Sequence, residues 1–179
     1  VAWANGAGPS APLGYLWAIS DPEGNHDIAK QISKRSVQSN QRMIHDAIRH
    51  TDILRTVEEQ KESDAANPKV KAWKNPYAEA DKVYGHKLFL STAKRIGLIV
   101  PRQGTGARFV LNDRLLRCIV MSVVPPGQRV TYETFKRLVL SHFGMAVDDE
   151  ALCHACAWAG TGRLSTLGGH SDEWLVSML

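Results

Sequence analysis

Cysteine is scarce in this chain: Cys118, Cys153 and Cys156 are the only three among 179 residues. Three thiols do not build a disulfide framework, so a reducing cytoplasm is the expected compartment. Long apolar runs are missing too. No stretch reaches the roughly 20 apolar residues that cross a bilayer, so no transmembrane helix and no membrane partner are expected. No signal-peptide pattern is visible at the N-terminus. The chain begins Val1-Ala2-Trp3 without Met and ends on the apolar Leu175-Val176-Ser177-Met178-Leu179, as expected of a fragment or of a chain trimmed to its ordered part.

Catalytic signatures are equally thin. Gly104-Thr105-Gly106 is followed by strand-like residues, where a phosphate-binding loop needs Lys-Ser/Thr and then a helix. It reads as a hairpin turn. Ser91-Thr92 lacks the context of a nucleophile elbow. The histidines are scattered, and His45-Asp46 and His50 near Asp52 have no nucleophile at motif spacing. Cys153-His154-Ala155-Cys156 could ligate zinc, with Cys118, His142 or His170 completing the site. There is no second such pair, and Cys156 falls at a core position of a helix, where it serves as a small hydrophobe. No enzyme activity, metal or cofactor is therefore expected.

What is present is unevenly placed positive charge. Residues 1–68 carry seven Lys/Arg and nine Asp/Glu, a net of −2. Residues 69–108 carry nine Lys/Arg against Glu79 and Asp81, a net of +7. Residues 109–179 return to −1. Such a cluster is the footprint of a polyanion-binding surface, although a merely solvated face has the same composition.

The charge coincides with a pattern. In Gly85–Leu111, Phe89, Thr92, Ala93 and Ile96 share one face of a helix, and Lys87, Ser91, Lys94 and Arg95 share another. Gly97 stands where the helix stops. Leu98–Val100 and Arg108–Leu111 read as strands around a glycine-rich turn, Pro101–Gly106.

Elsewhere the spacing predicts helices over Asp27–Ser33 and from Val37 to about Glu62, with Ser36 as a cap. That outline fits a helix-turn-helix projecting Gln38, Gln41 and Arg42, or an ordinary helical hairpin. Lys61–Asn75, with the Pro76 step, reads as a hinge loop over 61–76. Asn112-Asp113 opens a helix with an apolar stripe at Leu115, Leu116, Ile119, Val120 and Val123. Thr131 caps a helix ended by Gly144. Asp148 caps another holding Leu152 and Cys156, and Ser171 begins a last one burying Trp174, Leu175 and Met178.

The order of these elements resembles a tandem winged-helix protein, mainly α with small β-hairpins. The first module would span residues 1–111 with an N-terminal extension, and the second 112–179, its wing missing. The string GLIVPRQGTGARFVLND followed by VPPGQRVTYETF is also similar to helical subunits encoded in bacterial phage-defence loci. The winged-helix resemblance implies a non-catalytic DNA-binding protein or subunit. Lys87, Ser91, Lys94 and Arg95 would face the groove. Arg102, Gln103 and Arg108 would reach phosphates from the wing, and Lys69, Lys71 and Lys74 would add nonspecific attraction. Trp73, among those lysines, either stacks a base or anchors the linker. The alternative function is an interaction scaffold or homodimer, docking on a larger enzyme such as an ATPase or nuclease through a patch at Trp174, Leu175 and Met178.

Overall fold

The computed structural model describes residues 16–66, 75–159, 169 and 171–179. It is mainly helical with a few two-residue strands. The elements run β1 (Trp17–Ala18), α1 (Asp27–Ile48), α2 (Thr51–Ala65), α3 (Pro76–Ala80), a π-helix (Asp81–Ser91), α4 (Thr92–Ile96), β2 (Ile99–Val100), β3 (Arg108–Phe109), α5 (Asp113–Val123), α6 (Tyr132–Phe143), β4 (Met145–Ala146), α7 (Asp149–Ala159) and α8 (Glu173–Met178). No helix among the described residues is long and apolar enough to cross a membrane.

The sequence placed a boundary between modules at residue 111. The fold separates into one unit of Val1–Ser39 with Lys94–Leu179 and a second of Asn40–Ala93. The reason lies in the pairing. β1 runs parallel to β4 (Trp17 opposite Met145, Ala18 opposite Ala146), so the N-terminal strand is bound into the C-terminal half.

In the first unit, β2 and β3 form the expected antiparallel hairpin, Ile99 opposite Phe109 and Val100 opposite Arg108. Their edge is not left open. Ser20 N donates to Phe109 O at 3.0 Å, and Val110 N donates to Leu98 O at 2.9 Å. The hydroxyl of Ser33 on α1 accepts from Phe109 N at 2.8 Å and donates to Phe109 O at 2.9 Å. One turn on, Ser36 Oγ accepts from Ala18 N at 3.2 Å. Two buried helix serines thus join Ser20 in satisfying the strand backbone. This corrects the sequence reading of α1. There is no break at Ser36 and no turn between two short helices; Asp27–Ile48 is one continuous helix.

The apolar core follows from the same docking. Leu16, Ala18, Ala29, Ile32, Ala146, Ala151, Leu152, Ala155 and Cys156 are buried together. Phe109 is fully buried, its ring 5.2 Å from that of Trp17. Burying each large side chain such as Ile32 or Leu152 contributes about 1.5–3 kcal/mol. α5 buries Leu116 and Ile119 from its predicted stripe, and α6 buries Phe135 and Val139.

Most of the predicted caps hold, but Ser171 does not cap the last helix: its Oγ has no partner among the described residues, and α8 begins at Glu173 after Asp172. Asn112 and Thr131 side chains accept from Leu115 N and Thr134 N. Asp148 Oδ1 accepts from Ala151 N at 2.9 Å. Gly144 closes α6 in the left-handed conformation, φ 66°. Gly97 does the same after α4 at φ 78°, and a Cβ there would also strike the Asn112 amide.

The second unit contains the end of α1, α2, α3 and the π-helix. α2 runs to Ala65, further than expected, because Gln60 and Asp64 bond at i,i+4 (2.8 Å) and helix formers continue past Lys61. Arg49 forms a bidentate pair with Asp81 at 2.9 and 2.7 Å and lies over the Tyr77 ring at 5.0 Å. The π-helix corrects another expectation. It ends at Ser91, so of the face drawn through Phe89, Thr92, Ala93 and Ile96 only Phe89 lies in it, and its wider i→i+5 turn offsets Phe89 from the three residues in α4. Only Ala93 is buried; Thr92 and Ile96 are exposed.

Candidate nucleic-acid interface

The hairpin turn is built to stand out from the first unit. Val100–Pro101 is a cis peptide, and Gly104 and Gly106 take φ of 87° and 82°, which favour glycine. Residues 101–106 are all exposed, so Arg102 and Gln103 present their side chains to solvent. Before the hairpin, Arg95 is exposed and Lys94 half-buried in the last turn of α4.

One cation that the sequence reading did not select lies at the turn itself. Lys34 on α1 lies against the turn, where a Cβ on Gly106 would sit 3.5 Å from its Cε and 3.8 Å from its Nζ. The signal was the run Lys34-Arg35, but only the docking of Ser33 on β3 turns Lys34 toward the hairpin. Lys34, Lys94, Arg95 and Arg102 pair with no carboxylate among the described residues.

Arg108 does not belong to this surface. It is 8% exposed. Its Nη1 donates to Ser20 Oγ at 3.3 Å and Asp21 O at 3.1 Å, and its Nη2 donates to Pro22 O at 2.9 Å. Burial lowers its pKa, and Asp21 partly offsets this. The expected phosphate ligand is instead the clamp between β3 and the turn at Ser20–Gly24. Lys87 is exposed and Ser91 half-buried, but both belong to the second unit. Lys69, Lys71, Trp73 and Lys74 lie outside the described residues.

Three other predicted features also find places. Cys156 is fully buried in the core. Burial pushes the Cys153 thiol up, with Cys156 and Asp149 adding to the effect. Of the C-terminal patch, Leu175 is buried and Trp174 and Met178 are half-buried, whereas Val176 and Leu179 are exposed. That corrects the expected docking patch.

The densest polar cluster was not foreseen at all. Lys136 Nζ on α6 lies 3.0 Å from Glu133, 3.4 Å from Asp148 and 3.1 Å from Asp172, and 4.8 Å from the Tyr132 ring centre. Tyr132 OH donates to Asp172 Oδ2 at 2.9 Å. Burial alone would lower the lysine pKa, but the carboxylates raise it overall. Burial and the bond to Asp172 push the Tyr132 phenol up. An ammonium held charged in this way is a poor nucleophile, so the cluster reads as a brace joining α6 to the starts of α7 and α8.

Comparisons with protein-family models, with curated proteins and with solved structures find no match to this chain.

Proposed function

We propose that the chain is a non-catalytic DNA-binding protein or subunit of the winged-helix kind. α4 and the β2–β3 hairpin supply the helix and wing. The observation that carries this reading is Lys34 lying against Gly106 of the exposed turn that bears Arg102 and Gln103, in a chain stretch that also carries Lys94 and Arg95, with none of these cations in an ion pair among the described residues. Unpaired cations on a projecting hairpin suit the phosphate backbone, whose counterions they displace.

The test is a fluorescence-anisotropy titration of the 179-residue chain with a random-sequence duplex at two salt concentrations. Nonspecific binding on the order of 1–100 μM that weakens steeply with salt supports the proposal. No binding at low salt rejects it in favour of the scaffold reading, docking on a larger enzyme such as a phage-defence ATPase or nuclease. One observation favours that second reading. α2, α3 and the π-helix bury no residue, while Met43, Ile53, Tyr84 and Leu88 in the same unit are 43%, 45%, 51% and 61% exposed.

A further inference from the structure

A cleft of about 620 Å³ opens in the first unit between the turn after β1, the start of α5, and α8. Its size is that of a small-molecule site. Its walls are acidic, carrying Asp21, Glu23, Asp113 and Glu173 with no Lys or Arg among the described lining residues. Arg117 pairs with Asp113 at 3.1 Å, and the Asp21 carboxylate accepts from the backbone of Asn25 and His26. Glu23, an exposed lining residue, accepts only from the neutral Asn25 side-chain amide, at 3.0 Å.

The same wall holds two buried donors without acceptors. Ser171 is 2% exposed, and its Oγ has no hydrogen-bond partner among the described residues. Trp174 Nε1 is in the same condition one helical turn away. Each unmade bond to a buried donor costs about 1–3 kcal/mol, and an acceptor that reaches it recovers that cost. The Ser171 hydroxyl hydrogen can turn about its Cβ–Oγ bond to meet an acceptor.

We infer that this cleft is a binding site for a small organic cation that also carries a neutral acceptor, such as a guanidinium or ammonium group beside an amide carbonyl. The carboxylates recognise the charge, and Ser171 and Trp174 recognise the carbonyl. The inference is independent of DNA binding, because none of the wall residues belongs to the basic surface.

The test uses the 15N-labelled chain and follows the Trp174 indole N–H, assigned with Trp174→Phe. The probes are N-acetyl-arginine amide and its neutral isostere N-acetyl-citrulline amide. The arginine probe is expected to shift the Trp174 signal with saturation near ~1 mM, about −4 kcal/mol, and the citrulline probe to bind roughly 10-fold weaker. Ser171→Ala should weaken the arginine probe about 5-fold without lowering thermal stability, since the hydroxyl it removes has no partner among the described residues. Glu23→Gln, at an exposed position, should weaken it similarly while the fold is untouched. No saturable shift, equal binding of both probes, or binding indifferent to both variants overturns the inference.

Discussion

Ser33 holds both backbone groups of Phe109, its Oγ 2.8 Å from the amide nitrogen and 2.9 Å from the carbonyl oxygen. A helix side chain here takes the part of an adjacent strand. Both residues are fully buried. Ser33→Ala removes two hydrogen bonds from a dry site and is expected to cost about 2–3 kcal/mol in urea unfolding. A loss below about 0.5 kcal/mol, the ordinary surface value, would show that the hydroxyl is dispensable.

The Lys136 brace makes a second prediction. Its side chain is 12% exposed and that of Asp172 is 21% exposed. Lys136→Met leaves Asp172 and Asp148 facing each other's charge in a half-buried site. Breaking a fully buried pair costs about 3–5 kcal/mol, so the partial exposure here brings the expectation to about 2 kcal/mol. Asp172→Asn should cost less, because Lys136 retains Glu133 and Asp148. If the two variants cost the same, the cluster is not centred on the lysine.

The same cluster sets a pH dependence. Burial alone would raise the Asp172 carboxyl, but the bonds from Tyr132 and Lys136 outweigh it and hold the pKa below the ordinary carboxylate value. A depressed folded pKa gives stability that is fully present above the unfolded value of about 3.9 and is lost as pH falls through the folded value. The raised Lys136 works in the opposite sense: its contribution is present below about pH 10 and fades as pH rises beyond that. The stability gap between the native chain and Asp172→Asn should therefore be flat from about pH 5 to 9 and close below about pH 4. Denaturant titrations at several pH values check it; a gap that persists at about pH 2 would deny Asp172 its role.

Some of this architecture was legible in the sequence because its signals are local. Asn112, Thr131 and Asp148 cap helices through bonds spanning three residues, and Gly97 and Gly144 end them. The hairpin was readable from its strand–turn–strand composition, and with it the exposure of Arg102 and Gln103. What escaped depends on partners far along the chain. Ser36 has the composition of a cap, yet it lies inside α1 because Ala18 needs an acceptor. β1 and β4 are too short to announce a parallel pairing. Lys34 joins the candidate surface only through the docking of α1, and Arg108 leaves it because the carbonyls of Asp21 and Pro22 claim its guanidinium. Sequence spacing alone cannot separate an arginine at a wing tip from one at a wing base.

That distinction yields the last prediction. Arg102 and Arg108 flank the same turn, one exposed and the other 8% exposed with three hydrogen bonds. Arg102→Ala should leave stability within about 0.5 kcal/mol and lower the salt slope of duplex binding by about 1, the value of one phosphate contact. Lys94→Ala with Arg95→Ala should lower it by about 2. Arg108→Ala should instead cost about 2–4 kcal/mol, since it opens the clamp on Ser20–Gly24 and removes the guanidinium's bonds to Ser20 Oγ, Asp21 O and Pro22 O. At a temperature where that variant is still folded, its salt slope should match the native one. A folded Arg108→Ala protein with native stability and a reduced slope would return this arginine to the DNA surface and remove the clamp from the account of the fold.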